Sequence, residues 1–228
     1  MKRPLLIVLL MILGTTTEIQ AQDWPNLEQF KDANTKVAIA SDHENRVVFM
    51  GNSITIGWLN KRPEFFKGKP YINRGISGQT TPQMLLRFRQ DVIALQPKVV
   101  VILAGTNDIA GNTGPSTLPM ILDNIKSMAE LAEANDIKVV LSSVLPAFDY
   151  PWRPGLKPNE KIPALNKLIK DYAAEKGFIY LDYFSAMADK RNGLPKEYAS
   201  DEVHPTVAGY KVMEPMVEAA IAEALKKE

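Results

Sequence analysis

The sequence predicts one three-layer α/β domain in which helices cover both faces of a parallel sheet. Short apolar runs that end in small polar residues alternate with stretches in which apolar residues recur at helical spacing. Successive parallel strands need right-handed crossover connections, which place helices on both faces of the sheet. No internal repeat, low-complexity tract or linker divides the 228 residues, and an apolar content of 46% is enough for one full-sized core.

Five apolar runs are predicted as strands of this sheet. In chain order they cover residues 47–50, 71–73, 98–104, 138–145 and 178–181. The first run ends in Gly51-Asn52-Ser53 and the third in Gly105-Thr106-Asn107-Asp108. A continuous apolar run is typical of a strand that is buried on both faces, and the small polar residues after it favour a tight turn.

Helices are predicted between and after the strands. They begin near residues 81, 116 or 117, 159 and 206. Thr81 is the expected cap of the first of these helices, with Pro82 at its first position. Gly177 should end the third, and Pro215 should kink or interrupt the last. A further amphipathic helix is expected before the first strand, between residues 23 and 41.

Residues 1 to about 21 have the three-part pattern of a secretory signal peptide. Lys2 and Arg3 form the basic start, residues 5–13 the apolar core, and residues 19–21 a cleavage site. The apolar core is shorter than the about 20 residues that a membrane-spanning helix needs. A buried first strand is the alternative, but no recognisable turn follows it. We therefore expect an exported protein, periplasmic or extracellular, whose single domain spans residues 22–228.

Charge and cysteine content exclude several classes of function. Removing residues 1–21 takes two bases and one acid from totals of 27 and 26, which leaves 25 of each and no net charge. This balance gives no electrostatic reason to expect a nucleic acid or an anionic membrane as partner. The absence of cysteine excludes disulfides, thiolate zinc sites, cysteine nucleophiles and a lipid anchor on cysteine. With two histidines, a hydrolytic metal site is not expected either.

Ser53 is the candidate nucleophile. It follows the first strand at its carboxyl end, where ligands and chemistry collect in open α/β sheets. A serine hydroxyl needs a base, and histidine is the usual one near neutral pH. His43 lies on the amino side of the first strand and is expected to be a surface or capping residue. His204 follows the last strand on the expected side, although it could simply begin a helix.

Three further residues could complete an acyl-transfer site. Asp201 precedes His204 by three residues and can orient its imidazole, whereas Asp182 is a second candidate that nothing ties to His204. Gly75 and Asn107 follow strand ends and could stabilise an oxyanion through a backbone N–H and a side-chain amide. Turn formation alone would also explain each of them, so the case depends on all three strand ends carrying matching chemistry.

These residues resemble the four sequence blocks of the SGNH hydrolases, also called GDSL esterases/lipases. The matching blocks are residues 51–55, Gly75, residues 105–108 and residues 201–205, in the order of the family. The segment Gly-Ile-Ser-Gly-Gln-Thr-Thr is most similar to the branch with the platelet-activating-factor acetylhydrolase catalytic subunits and related bacterial esterases. Asn52 departs from the aspartate of the family; an amide keeps most hydrogen bonds of that turn but loses a charge.

The resemblance implies a flavodoxin-like α/β/α sandwich with five parallel strands and a serine esterase that uses no metal or other cofactor. Ser53 would be the nucleophile, His204 the general base and Asp201 the orienting acid. The oxyanion hole would consist of the backbone N–H groups of Ser53 and Gly75 and the side chain of Asn107. Ester hydrolysis would proceed through an acyl-enzyme.

The aromatic residues near the site bear on the substrate. Tyr150 and Trp152 lie in a proline-rich loop after the fourth strand, and Trp58 follows the nucleophile. They could stack on a sugar ring, close a small acyl pocket, or pack a loop that prolines fix. No lid-like amphipathic insertion over the site is predicted, and its absence from the prediction disfavours an enzyme that acts on substrates at lipid interfaces. We expect a small-molecule or carbohydrate ester, most simply an acetylated sugar. A lysophospholipid or another short-chain lipid ester is the alternative, and a non-catalytic binding domain a remote one.

Overall fold

A five-stranded parallel sheet organises the protein, as the sequence predicts. The computed structural model describes residues 22–37 and 44–227. The strands are β1 (Val47–Gly51), β2 (Tyr71–Gly75), β3 (Val99–Leu103), β4 (Lys138–Ser142) and β5 (Ile179–Leu181). They pair in the order β2-β1-β3-β4-β5, and all four pairings are parallel. The strand order reverses direction at β1, so the end of β1 lies at a switch point of the sheet.

Alternate residues of each central strand face opposite layers, which explains the continuous apolar runs. In β1, Val48 and Met50 pack into the core on one face, whereas Val47 and Phe49 pack into the core on the other. The helices are listed in chain order: α1 (Lys31–Thr35), α2 (Ser53–Lys61), α3 (Pro63–Phe66), α4 (Thr81–Asp91), α5 (Thr106–Ile109), α6 (Leu118–Glu133), α7 (Pro158–Lys176), α8 (Tyr183–Met187) and α9 (Val207–Lys226). Helices α4, α6 and α7 cover the first core, and α2 and α9 cover the second.

The fourth strand is shorter than the sequence predicts. It ends at Ser142, although the apolar run continues to Leu145. Ser143, Val144 and Leu145 are all buried, but the Val144 N–H donates to Asn166 Oδ1 instead of to a neighbouring strand. The apolar run therefore indicates how far the buried segment extends, and this segment is longer than the part that pairs with neighbouring strands.

The predicted cap of α4 needs correction, and the predicted interruption of the last helix does not occur. Thr80, not Thr81, caps α4, and it forms a capping box with Gln83. Pro215 lies inside α9 without interrupting it. Met213 and Val217, on either side of this proline, are fully buried, so packing against the sheet holds the helix together despite the missing backbone donor.

The described part of the chain before β1, residues 22–37 and 44–46, contains turns and one short helix. Residues 22–30 form turns and lead into α1, in place of the longer amphipathic helix that the sequence predicts. The expected signal peptide, residues 1–21, and His43 both lie outside the described residues. Within the described ranges, no helix is long and apolar enough to cross a membrane.

Candidate active site

The end of β1 turns directly into α2 and places Ser53 at the first position of that helix. Asn52 caps the helix, because its Oδ1 accepts a hydrogen bond from the Ile54 N–H at 3.0 Å. The amide of Asn52 thus provides the N-cap of α2. Gly51 allows the turn, since a Cβ there would collide with Thr55 and with the Leu103 carbonyl.

Ser53, His204 and Asp201 form a continuous chain of polar contacts. Ser53 Oγ lies 2.9 Å from His204 Nε2, and His204 Nδ1 lies 2.7 Å from Asp201 Oδ2. The second oxygen of Asp201 accepts the backbone N–H groups of Val203 at 3.0 Å and His204 at 2.7 Å. Asp182, the other candidate acid, instead caps α8 through Ser185. The structure thus brings Asp201, and not Asp182, to the imidazole.

The hydrogen bonds around Asp201 favour its charged form. Burial opposes ionisation, but the backbone and ring N–H groups of His204 and the Val203 N–H outweigh it, so the pKa of this carboxyl is lowered from its ordinary 3.8. A lowered folded-state pKa contributes stability above the unfolded value, and this contribution is lost as the pH falls through the folded value. Asp201 is therefore a carboxylate at any pH near neutrality.

Gly75 does not occupy the position that the sequence analysis assigns to it. Its N–H is buried and donates to Asn73 Oδ1 at 3.0 Å. A Cβ at this position would collide with the backbone of Asn52 and Ile56, so Gly75 allows α2 to pack closely against β2. The predicted role of Gly75 in the oxyanion hole is corrected to this packing role.

Gly78 lies three residues after Gly75 and is a second candidate for a backbone donor to an oxyanion, which was not predicted from the sequence. It is exposed, has a φ of 76°, and donates its N–H to no backbone carbonyl of the described residues. Its neighbour Gln79 accepts a hydrogen bond from Asn107 Nδ2 through the backbone carbonyl, at 2.9 Å. Asn107 is 4% exposed and lies on α5, after the turn at Gly105. The 77–80 loop and Asn107 thus meet at the carboxyl edge of the sheet.

Only one of the three predicted substrate-binding aromatics is accessible. Trp58 is 1% exposed and stacks between Phe65 and Tyr210 in the core, so that prediction is wrong. Tyr150 is also fully buried, with its hydroxyl 2.9 Å from Thr106 Oγ1. Trp152 is 48% exposed; its ring stacks on Tyr150 and lies 5.9 Å from the His204 ring. Tyr150 supports Trp152 and does not itself offer a surface.

Comparison with known proteins shows the family of the chain. The model of the GDSL-like Lipase/Acylhydrolase family matches residues 49–212, from the first strand to the last helix. The chain belongs to this family. It is therefore an ester hydrolase with the α/β fold of the GDSL hydrolases.

Two solved structures from Bacteroides are similar over nearly the whole chain. A candidate acylhydrolase of Bacteroides fragilis is 47% identical with a TM-score of 0.88, and the match covers 90% of this chain and all of that one. A GDSL-like lipase of Bacteroides thetaiotaomicron is 48% identical with a TM-score of 0.86, over 88% and 98% of the two chains. The same domain is thus present in full in both proteins.

Two curated relatives are more distant. An acetylxylan esterase of Geobacillus stearothermophilus is 27% identical over 155 residues, which cover 62% of this chain and 67% of that one. A lipoprotein of Bacillus subtilis is 27% identical over 147 residues, 63% of this chain but 58% of the relative. The chain therefore matches a little over half the length of that lipoprotein.

The buried side chain of Arg87 forms hydrogen bonds to several parts of the candidate site of this GDSL hydrolase. Arg87 of α4 is fully buried, and its guanidinium donates to the carbonyls of Gly51 at 3.2 Å and Arg74 at 2.8 Å. It also donates to Gln79 Oε1 at 2.5 Å and Asp91 Oδ2 at 3.0 Å. Burial lowers the pKa of Arg87, and Asp91 opposes this. One side chain thus connects the ends of β1 and β2 with the loop that contacts Asn107.

The sequence contains a signal for this arginine that the apolar pattern alone does not reveal. Met84, Arg87, Phe88 and Asp91 recur at the spacing of the buried face of α4. Two opposite charges on such a face indicate a buried ion pair. A second acid, Asp108 of α5, contacts the same helix by accepting the Thr81 N–H and hydroxyl. Among the described residues, no group of three or more His, Cys, Asp or Glu side chains could hold a metal ion.

We expect Arg87→Met to lower the free energy of unfolding by about 3–5 kcal/mol, since the substitution leaves Asp91 buried without its charged partner. Urea denaturation measures this change, and Arg89→Met, on the exposed face of the same helix, should change stability by less than about 0.5 kcal/mol. Arg87→Met should also lower turnover, because Gly51, Arg74 and Gln79 lose their hydrogen-bond donor. Adding Asp91→Asn should recover part of the stability but not the turnover, because those three acceptors still lack the donor. Full recovery of turnover in the double variant would show that Arg87 does not position the site.

Proposed function

We propose that this GDSL hydrolase is a serine esterase that removes acetyl or similarly short acyl groups from carbohydrate. The observation that carries the proposal is the contact chain from Ser53 Oγ through the His204 ring to the Asp201 carboxylate, with separations of 2.9 and 2.7 Å. This order of groups suits a hydroxyl that must lose a proton as it attacks a carbonyl carbon.

In the first step, Ser53 Oγ attacks the ester carbonyl while His204 Nε2 takes the hydroxyl proton. The Asp201 carboxylate holds the imidazole through Nδ1 and stabilises the positive charge that the ring gains. The tetrahedral intermediate collapses when His204 returns the proton to the departing sugar oxygen, which leaves an acetyl group on Ser53. In the second step, water gives a proton to His204 and attacks the acyl carbon. The bond from that carbon to Ser53 Oγ then breaks as His204 returns the proton to Oγ, which restores the free serine, and acetic acid leaves and ionises to acetate.

The negative charge of the intermediate needs donors that are already in place. The Ser53 N–H is one, because the first N–H groups of a helix have no acceptor within that helix. Gly78 supplies a second backbone N–H, and Asn107 supplies a side-chain N–H. One hydrogen of Asn107 Nδ2 binds the Gln79 carbonyl, and the other is available for the oxyanion.

Two observations support a carbohydrate ester. One of the two curated relatives is an acetylxylan esterase, and Trp152 presents an exposed ring beside His204.

We also propose that the protein is exported, because residues 1–21 have the pattern of a signal peptide and a relative is a lipoprotein. N-terminal sequencing of protein recovered from the periplasm or the medium tests this. A start near residue 22 is expected, and an intact Met1 would contradict it.

Replacing the nucleophile should abolish turnover. Ser53→Ala is expected to lower kcat on p-nitrophenyl acetate by about 10⁴–10⁶-fold, since it removes the group that forms the acyl-enzyme. The variant should also resist labelling by a fluorophosphonate, whereas Ser127→Ala, at a surface serine of α6, should be labelled like the wild type. Retention of activity within a few-fold, or labelling of the Ser53→Ala protein, would rule out the assignment.

Removing the side-chain oxyanion donor should affect the chemical step. We expect Asn107→Ala to lower kcat by about 10²–10³-fold with little change in KM, because the lost hydrogen bond strengthens only as charge develops. Steady-state kinetics on aryl acetates measures both constants, and circular dichroism checks that the variant is folded. Asn135→Ala, at a surface amide that binds only within its own helix end, is the control. A rise in KM alone would assign Asn107 to substrate binding instead.

A further inference from the structure

A cleft of about 610 Å³ opens beside the proposed site, and four separate parts of the chain line it. Trp24 comes from the turns before α1, and Trp152 from the loop after β4; they are 39% and 48% exposed. Gly78 and Gln79 also line the cleft, so it reaches the loop that carries the proposed oxyanion donor. Its volume lies within the about 300–1,000 Å³ that is usual for small-molecule sites.

We propose that this cleft binds the sugar residues of the substrate, the part that leaves as the alcohol, and that Trp24 makes the enzyme selective for acetylated oligosaccharides over acetylated monosaccharides. This inference rests on the proposed function, which supplies the ester chemistry at Ser53. It adds a binding site for the sugars beyond the one that carries the ester, and it assigns that site to the segment before α1.

The chemistry of the lining fits a sugar chain. Besides the two tryptophans, the cleft presents amides, hydroxyls and a guanidinium, from Asn26, Gln83, Asn112, Thr113 and Arg153. Such groups donate and accept the hydrogen bonds that sugar hydroxyls require, and indole rings offer flat apolar faces. Because none of the described residues that line the cleft has an aliphatic side chain, a lipid acyl chain would find little apolar surface besides the two rings.

The segment that carries Trp24 is fixed before any substrate binds. The Trp24 carbonyl accepts Gln83 Nε2 at 2.7 Å, and the Pro25 carbonyl accepts Gln79 Nε2 at 2.7 Å. Asp23 closes the turn by accepting the Leu27 N–H at 2.8 Å. A wall that is already ordered loses little conformational entropy when a ligand binds, which favours affinity.

The same contacts join this wall to the reacting centre. Gln79 donates to the Pro25 carbonyl through its side chain, and it accepts from Asn107 through its backbone. Trp152, in the loop after β4, stacks on Tyr150 and lies beside His204. A sugar chain that contacts both tryptophans would therefore be held beside the Gly78 loop, with the ester directed towards Ser53.

Kinetics on substrates of two lengths tests the role of Trp24. In Trp24→Ala, the ratio of kcat/KM for an acetylated xylo-oligosaccharide to that for an acetylated methyl xyloside should fall about tenfold, chiefly through KM, because an interaction equal in ground and transition state is lost. Leu27→Ala, in the same segment, and Phe148→Ala, in the same loop as Trp152, are exposed residues outside the cleft and should keep the wild-type ratio.

Binding without turnover gives an independent measurement. The chain has three tryptophans and Trp58 is 1% exposed, so fluorescence changes on ligand contact report Trp24 and Trp152. In Ser53→Ala, the oligosaccharide should change this fluorescence with a Kd that rises about tenfold when Trp24→Ala is added.

The outcomes separate the inference from the proposed function. A wild-type enzyme that hydrolyses the oligosaccharide, with an unchanged ratio and Kd in Trp24→Ala, would overturn the role of Trp24 and leave the carbohydrate esterase intact. A wild-type enzyme that hydrolyses p-nitrophenyl acetate but neither saccharide would overturn both.

Discussion

The buried guanidinium of Arg87 is the interaction on which the candidate active site depends. The proposed nucleophile, Ser53, follows β1, and the loop with Gly78 follows β2. In the proposed mechanism, the distance between them must suit one carbonyl group. Arg87 spans the two strands by donating to the last residue of β1 and to Arg74 near the end of β2, and it reaches Gln79 in the loop. A charge removed from water persists only where its donors are satisfied, which here requires these strand ends to keep their places.

The sequence predicts the sheet and the Ser53, His204 and Asp201 arrangement because their signals are local. A strand buried on both faces appears as an apolar run, and the turn after it appears as Gly51-Asn52-Ser53. The spacing of three residues between Asp201 and His204 brings both onto one turn, so a short stretch of sequence contains that geometry. The distinction between Gly75 and Gly78 is not visible in the apolar pattern. The Gly75 N–H is already donated to Asn73 Oδ1, and a Cβ at Gly75 would collide with the start of α2. Gly78 is exposed and donates its N–H to no backbone carbonyl of the described residues.

Burial of single aromatics was predictable for one residue and not for another. Ile54 and Trp58 are four residues apart on α2, which is the spacing of a buried helix face, so the sequence contained the reason why Trp58 is in the core. Tyr150 and Trp152 lie in a loop with no such period. Tyr150 is buried and Trp152 is exposed because Thr106 binds the Tyr150 hydroxyl and holds the Tyr150 ring beneath the Trp152 ring. Only the tertiary structure supplies that partner.

Gln79 explains how substrate choice and catalysis can be connected in one small domain. Its side-chain oxygen accepts from Arg87, its side-chain nitrogen donates to the Pro25 carbonyl, and its backbone oxygen accepts from Asn107. The strand ends contribute the reacting groups, and the turns before α1 contribute a wall of the cleft, so the two meet in this residue. Because the amide of Gln79 is 1% exposed and all three bonds are made, a displacement of the wall would cost a buried hydrogen bond. The segment before α1 is for this reason held in place by the same residue that contacts Asn107 and Arg87.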